Sequence, residues 1–135
     1  MGVRVRIRIE FKDRSLMTIA LVNTGFEGDV PEVLIPPHIA IKLGVWPKLP
    51  DGTIIETYRS ASGLMRVYRI KGARVSLVSE EKIYEPIETY LVISEYTDIV
   101  LINDQLISSM NIIIEDPAKG LWRIRGERKV RRSET

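Results

Sequence analysis

The chain has 135 residues, 44% of them hydrophobic and 28% charged, with a net charge of +2 and no cysteine. That length supports one domain able to bury a core without a disulfide or metal staple. The composition excludes thiolate catalysis, Cys-type zinc sites and disorder. Strand signals dominate in chain order. Val3, Val5, Ile7, Ile9 and Phe11 alternate with Arg4, Arg6, Arg8 and Glu10, the pattern of a half-buried strand. Asp13-Arg14-Ser15 is expected to turn the chain. Leu16 to Val22 is a nearly continuous apolar run, which predicts a strand covered on both faces. Asn23-Thr24-Gly25 ends it with turn-forming residues. Val33-Leu34-Ile35 predicts a short strand, and Pro37 to Leu43 a short helix that Gly44 closes.

Ile54 to Arg59 and Leu64 to Ile70 predict a hairpin around Ser60-Ala61-Ser62-Gly63. Lys71-Gly72 is expected to break the chain before a further strand from Ala73 to Val78. Ile87 to Ile93 and Ile99 to Ile102 follow as strands. Asn103-Asp104 is a good N-cap pair for a helix from Gln105 to Met110. Ile112 to Ile114 and Leu121 to Ile124 are the last predicted strands, leaving 126–135 as a basic flexible tail. Many short strands with one or two short helices imply an all-β, barrel-like domain.

The small net charge hides an uneven distribution: residues 1–14 carry +3, residues 15–116 carry −6, and residues 117–135 carry +5. The basic ends either pair with acidic groups elsewhere on the fold or form a polyanion-binding arm. No aromatic interleaves with Arg128-Lys129-Val130-Arg131-Arg132, so base stacking gains no support and nucleic acid is the weakest partner reading. No apolar run approaches a membrane span, and Val3 to Arg8 does not read as a signal peptide, so a cytoplasmic protein without a membrane partner is expected. Abundant Ile, Val, Lys, Arg and Glu with a single Gln suit a heat-stable source.

The ordinary chemical signatures are few. The one histidine, His38, has no nucleophile motif to serve, and no phosphate loop is present. Glu80-Glu81 and Glu115-Asp116 are carboxylate pairs in polar turns and read as solvated rather than metal-binding. Trp46 and Trp122 read as core or interface residues. One constellation stands out. The buried strand Thr18 to Val22 ends in Asn23-Thr24-Gly25-Phe26-Glu27-Gly28. Much later, Val100-Leu101-Ile102 ends a second apolar strand at Asn103 and enters a helix. A polar residue at the end of a buried strand is rigidly held, and glycine beside it permits close approach of a second chain or a ligand.

Between these lie Leu34-Ile35-Pro36, Lys42-Leu43-Gly44 and Tyr58-Arg59-Ser60-Ala61-Ser62-Gly63, and after them Ile112 to Asp116 and Gly120-Leu121-Trp122. In this order, over residues 16–124, the chain resembles the retropepsin-like aspartic proteases, in particular their small soluble cellular members. The resemblance implies a single-domain closed β-barrel at 1–125 with a flap hairpin and one or two short helices, acting as a homodimer. It places Asn23, Thr24 and Gly25 in the catalytic loop. Phe26, Glu27, Gly28, Ala61, Ser62 and Gly63 would line the peptide site, and Leu101, Ile102 and Asn103 would form the second motif. Thr24 would cross-link the loops of two subunits, and Gly25 would accept a substrate strand.

Two residues depart from the family pattern. Asn23 stands where the family carries its catalytic Asp, and Asn103 stands where it carries Gly. The family's chemistry needs two carboxyls sharing a proton across the dimer, one as base and one as acid. An amide serves neither role. Asn23 has two readings: a natural departure, giving a pseudoprotease, or an Asp-to-Asn substitution that silences a protease. The expectations are therefore an aspartic-protease-family domain inactive as written, a peptide-binding homodimer in its place, or, at lowest weight, a nucleic-acid-associated protein. Extended peptide or unfolded protein is the expected substrate or ligand, with no cofactor and no metal.

Overall fold

The computed structural model describes residues 2–60 and 63–135. β1 (Arg4–Phe11) and β2 (Arg14–Val22) form a hairpin whose register runs from Arg4 opposite Leu21 to Phe11 opposite Arg14. The turn is therefore Lys12-Asp13, one residue earlier than expected, with Lys12 in the left-handed region at φ 54°. β3 (Glu32–Ile35) leads into α1 (Pro37–Lys42), with a proline at its start as predicted. β4 (Ile54–Ser60) pairs with β5 (Gly63–Val78) in a hairpin with Ser60 opposite Gly63. The expected flap-tip residues Ala61 and Ser62 lie outside the described residues.

β5 does not break at Lys71-Gly72. It runs on, and the expected gap is a bulge: the register with β6 (Ile87–Ile93) shifts between Ile70 and Ala73, with Gly72 at φ 103°. Glycine takes that conformation without steric cost, so a breaker in the sequence becomes a bend inside one strand. β7 (Val100–Ile102) then enters α2 (Asp104–Ser109). Asn103 is the N-cap, and its Oδ1 accepts the Leu106 N–H, as the sequence predicts.

Pairing β1-β2-β7-β3-β6-β5 and β5 back to β1 closes a six-stranded barrel, with β4 extending from β5. Half of the described residues are strand and 9% helix. The inward side chains of β1 explain the closure: Val3, Val5, Ile7, Ile9 and Phe11 are all buried and join Leu77, Leu91, Ile93, Ile102 and Leu106 in one core. No helix among the described residues is long and apolar enough to cross a membrane.

Two further expectations are corrected. β2 is covered on one face only. Ala20 and Val22 point into the core, but Met17 is 52% exposed, and Ile19 and Leu21 are half-buried beside the arginines of β1. Nor is the segment after residue 125 a flexible tail. β8 (Ile112–Asp116), β9 (Leu121–Ile124) and β10 (Val130–Arg132) form a second, three-stranded sheet. Arg131 is only 9% exposed, packs near Trp122 and pairs with Glu81 and Glu127, each at 3.0 Å. The Arg4 N–H donates to Ser133 Oγ, Glu134 N–H donates to the Arg4 carbonyl, and Arg6 pairs with Glu134. An arginine-rich segment has no hydrophobic period, yet one buried guanidinium and its carboxylates fasten it. Arg6, Lys129 and Arg131 of the basic ends thus meet carboxylates within the fold.

Candidate functional site

The end of β2 is built around Asn23. β2 and β7 run parallel with Val22 opposite Ile102, and the Asn23 N–H donates to the Ile102 carbonyl at 3.2 Å. The Asn23 Oδ1 accepts the Gly25 N–H at 3.0 Å, and the Phe26 N–H donates to the Asn23 carbonyl at 3.1 Å. This is the short asparagine turn that its side chain favours. Thr24, Gly25 and Glu27 are exposed beyond it.

The other end of the loop is fixed by α2. Gly28 N–H donates to Asp104 Oδ1 at 3.1 Å, and Asp104 N–H donates to the Phe26 carbonyl at 3.0 Å. Asn103 is fully buried and bonds on every side. Its Oδ1 accepts from Glu32 N–H at 2.9 Å and Leu106 N–H at 3.0 Å. Its Nδ2 donates to the Val30 carbonyl at 2.9 Å and to Glu32 Oε1 at 3.4 Å. Gly28 is required here: a Cβ would lie 2.5 Å from Glu32 Oε1 and 2.9 Å from Asn103 Nδ2. Asn103, expected as part of a secondary motif, is the brace that joins α2, β3 and the Asn23–Gly28 loop.

Glu32 is 2% exposed and carries a salt bridge of 2.8 Å to Arg69 on β5. Arg69 also pairs with Glu56 on β4 at 3.4 Å and stacks over the Tyr90 ring at 4.5 Å from its centroid. These groups and the loop enclose a groove of about 570 Å³, with Phe26, Glu27, Gly28 and Asp29 along one side and Glu56, Arg59 and Arg69 along the other. Phe26 also packs with Leu101 onto a small outer cluster of Leu34, Val67 and Val92.

The structure therefore brings Gly25, Phe26, Glu27 and Gly28 to one groove. Asn23 and Thr24 stand at the start of the loop, outside the groove's described lining. Gly63 is exposed at the start of β5 and is not among the described lining either. Ile102 belongs to the core, and Leu101 to the outer cluster. Sequence reasoning missed Glu32, Glu56, Arg59, Arg69 and Tyr90. Glu32 opens a fully buried strand, and a carboxylate attached to the run Val33-Leu34-Ile35 was the available signal. Its partner lies 37 positions away in sequence, which no local pattern reveals.

The chain matches no model of a known protein family, and no curated protein matches it in sequence. The site is therefore read from its own geometry: a tightly held polar loop at a barrel strand end, flanked by an open groove of mixed charge.

Proposed function

We propose that this chain is a retropepsin-like domain that holds extended polypeptide in the groove beside the Asn23–Gly28 loop and does not hydrolyse it. The observation that carries this reading is the combination of an intact loop with an amide at its head. Asn23 sits at the end of β2, its side-chain oxygen turned back onto the Gly25 N–H, and the loop is braced through Asp104. Hydrolysis by this family's chemistry needs a carboxylate to take a proton from water. A neutral amide takes none, and losing a general base lowers the rate by about 10²–10⁴-fold or more. The groove keeps what binding needs. An extended peptide carries unpaired N–H and C=O groups, and loops and strand edges recognise them without chemistry.

The same reading includes a homodimer. The outer face of β2 and β7 leaves Met17 and Ile99 exposed at 52% and 42%, with Ile19, Leu21 and Leu101 half-buried between them. Such an apolar strip is suited to a partner surface. Light scattering should then give twice the 15.4 kDa of one chain; a monomer at micromolar concentration refutes the dimer.

The test of the catalytic half is Asn23→Asp. The unmodified protein should leave an unfolded protein substrate intact at acidic pH. The variant should cut it, and pepstatin should stop the cutting. If the variant is folded, dimeric and still inert, descent from a carboxyl-dyad protease is refuted. If the unmodified protein cuts, the non-hydrolytic reading is refuted.

A further inference from the structure

Tyr90 divides the groove from a neighbouring cavity. A second hollow, also of about 570 Å³, opens on its far side at the bulge of β5, lined by Val30, Pro31, Ala73, Thr89 and Tyr90 together with the charged Lys71, Arg74 and Glu88. Val30 and Tyr90 line both cavities, so the two share a wall. The wall is firm. Tyr90 N–H donates to the Pro31 carbonyl at 3.0 Å, its ring lies under Arg69, and the Val30 carbonyl is held by Asn103 Nδ2. The hollow exists because the register slips between Ile70 and Ala73, so the bulge turns β5 and re-aims its side chains.

The two compartments differ in chemistry. On the loop side, Glu27 and Asp29 are exposed and carry no ion pair among the described residues. On that side Arg69 is already engaged by Glu32 and Glu56, which leaves Arg59 as the counter-charge to the two loop carboxylates. On the bulge side, Val30, Pro31, Ala73 and the Tyr90 ring supply most of the lining surface, and the charges of Lys71, Arg74 and Glu88 are of both signs.

We propose that the hollow at the β5 bulge is a second binding compartment that adjoins the groove across the Tyr90 wall, and that the pair selects an extended peptide carrying a basic side chain and an apolar one two or four positions apart. The basic side chain lies over Glu27 and Asp29, and the apolar one enters the hollow behind Tyr90. In an extended chain, side chains two or four positions apart point to the same face, so one peptide can supply both. This inference rests on the peptide-binding reading given above and adds the class of peptide.

The probes are four short fluorescein-labelled peptides in a Gly-Ser background: Lys with Leu, Glu with Leu, Lys with Ser, and Ser with Ser, the paired residues two or four positions apart. Fluorescence anisotropy with the full chain should rank Lys-with-Leu tightest. Replacing Lys by Glu should weaken binding about tenfold or more, an effect that added salt shrinks. Replacing Leu by Ser should weaken it roughly tenfold, the value of a buried aliphatic side chain. In the double variant Glu27→Gln, Asp29→Asn, the preference for Lys should vanish while that for Leu persists. In the uncharged variant Val30→Ser the preference for Leu should shrink while that for Lys persists, with circular dichroism confirming that each variant folds. Equal binding of all four peptides overturns the two-compartment inference and leaves peptide binding standing. A charge preference that survives the double variant, or a Leu preference undiminished in Val30→Ser, also overturns it. Binding of none overturns both.

Discussion

Asn103 is the residue whose removal the structure prices most clearly. Replacing it by Ala deletes an N-cap acceptor, which costs about 1 kcal/mol. It also strands the buried Glu32 N–H, which Asn103 Oδ1 accepts at 2.9 Å, and a buried donor left without a partner costs about 1–3 kcal/mol. Val30 is only half-buried, so water can replace the bond to its carbonyl. The loss is therefore roughly 2–4 kcal/mol, a large share of the 5–15 kcal/mol that holds a typical domain together. Urea unfolding followed by the fluorescence of buried Trp122 measures it. Asn103→Gly should cost less than Ala at the cap, because glycine is tolerated there, but it strands the same buried Glu32 N–H. Asn103→Asp separates the two halves of the argument. It keeps the acceptor for Glu32 N–H and Leu106 N–H but sets a carboxylate against Glu32 Oε1. That repulsion raises the folded-state pKa of the new Asp, so its penalty is full at pH 7 and shrinks as pH falls through that raised value. An Ala variant within 1 kcal/mol of the parent protein, or an Asp variant as stable as it at pH 7, refutes the brace.

Gly28→Ala should destabilise the loop, since the added methyl group collides with Glu32 Oε1 and Asn103 Nδ2; thermal melts matching the parent protein would refute the close packing. Glu127 has its carboxyl held below the ordinary value of 4.5 by the Tyr84 hydroxyl and by Arg131, and Glu81 has its own held below by hydrogen bonding to Arg131. Their contribution is therefore present above that ordinary value and is lost as pH falls through the depressed folded values. Melting temperatures of the parent protein and Arg131→Gln should differ at pH 7 and converge in acid, and a gap that stays constant refutes this fastening. Deleting residues 126–135 should lower the melting temperature, because β10, the Arg131 pairs and the Arg6–Glu134 bridge go with it; an unchanged melt would return the segment to a mere tail.

What the sequence makes legible is whatever depends on neighbours in the chain. The alternation of Val3 to Phe11 is the inner face of β1, and Asn103 caps α2 because a cap needs only the residue and the turn that follows. What it hides depends on distant partners. Leu16 to Val22 reads as buried on both faces, but the second face meets the arginines of β1, Leu101 of β7 and solvent in a single chain. Lys71-Gly72 reads as a break because a bulge and a break use the same residues. Arg131 reads as part of a charged run, since its burial depends on Glu81, far earlier in the chain. The loop from Asn23 to Gly28 is legible as a special turn. The groove beside it is not, because Glu32, Glu56 and Arg69 come from three different strands.

The two asparagines at the heart of the site act in different ways. Asn23 uses one oxygen to accept the Gly25 N–H, and an aspartate oxygen in the same place would accept it equally well. The amide therefore alters which protons the site can move and leaves the turn intact. Asn103 uses both of its polar atoms, donor and acceptor, and neither Gly nor Asp reproduces that set. Beside it, Glu32 and Arg69 form a mostly buried ion pair. Such pairs contribute little net stability compared with apolar residues of similar volume. Stability alone thus gives a weak account of this pair. Its position gives a better one. The Glu32–Arg69–Glu56 chain crosses from β3 to β4 along the groove, and Arg69 stacks on Tyr90, the wall between the two hollows. If the chain is the retropepsin-like domain proposed above, Asn23 puts an amide where the chemistry needs a carboxyl while the charges that shape the groove remain in place, and that combination favours holding a peptide over cutting one.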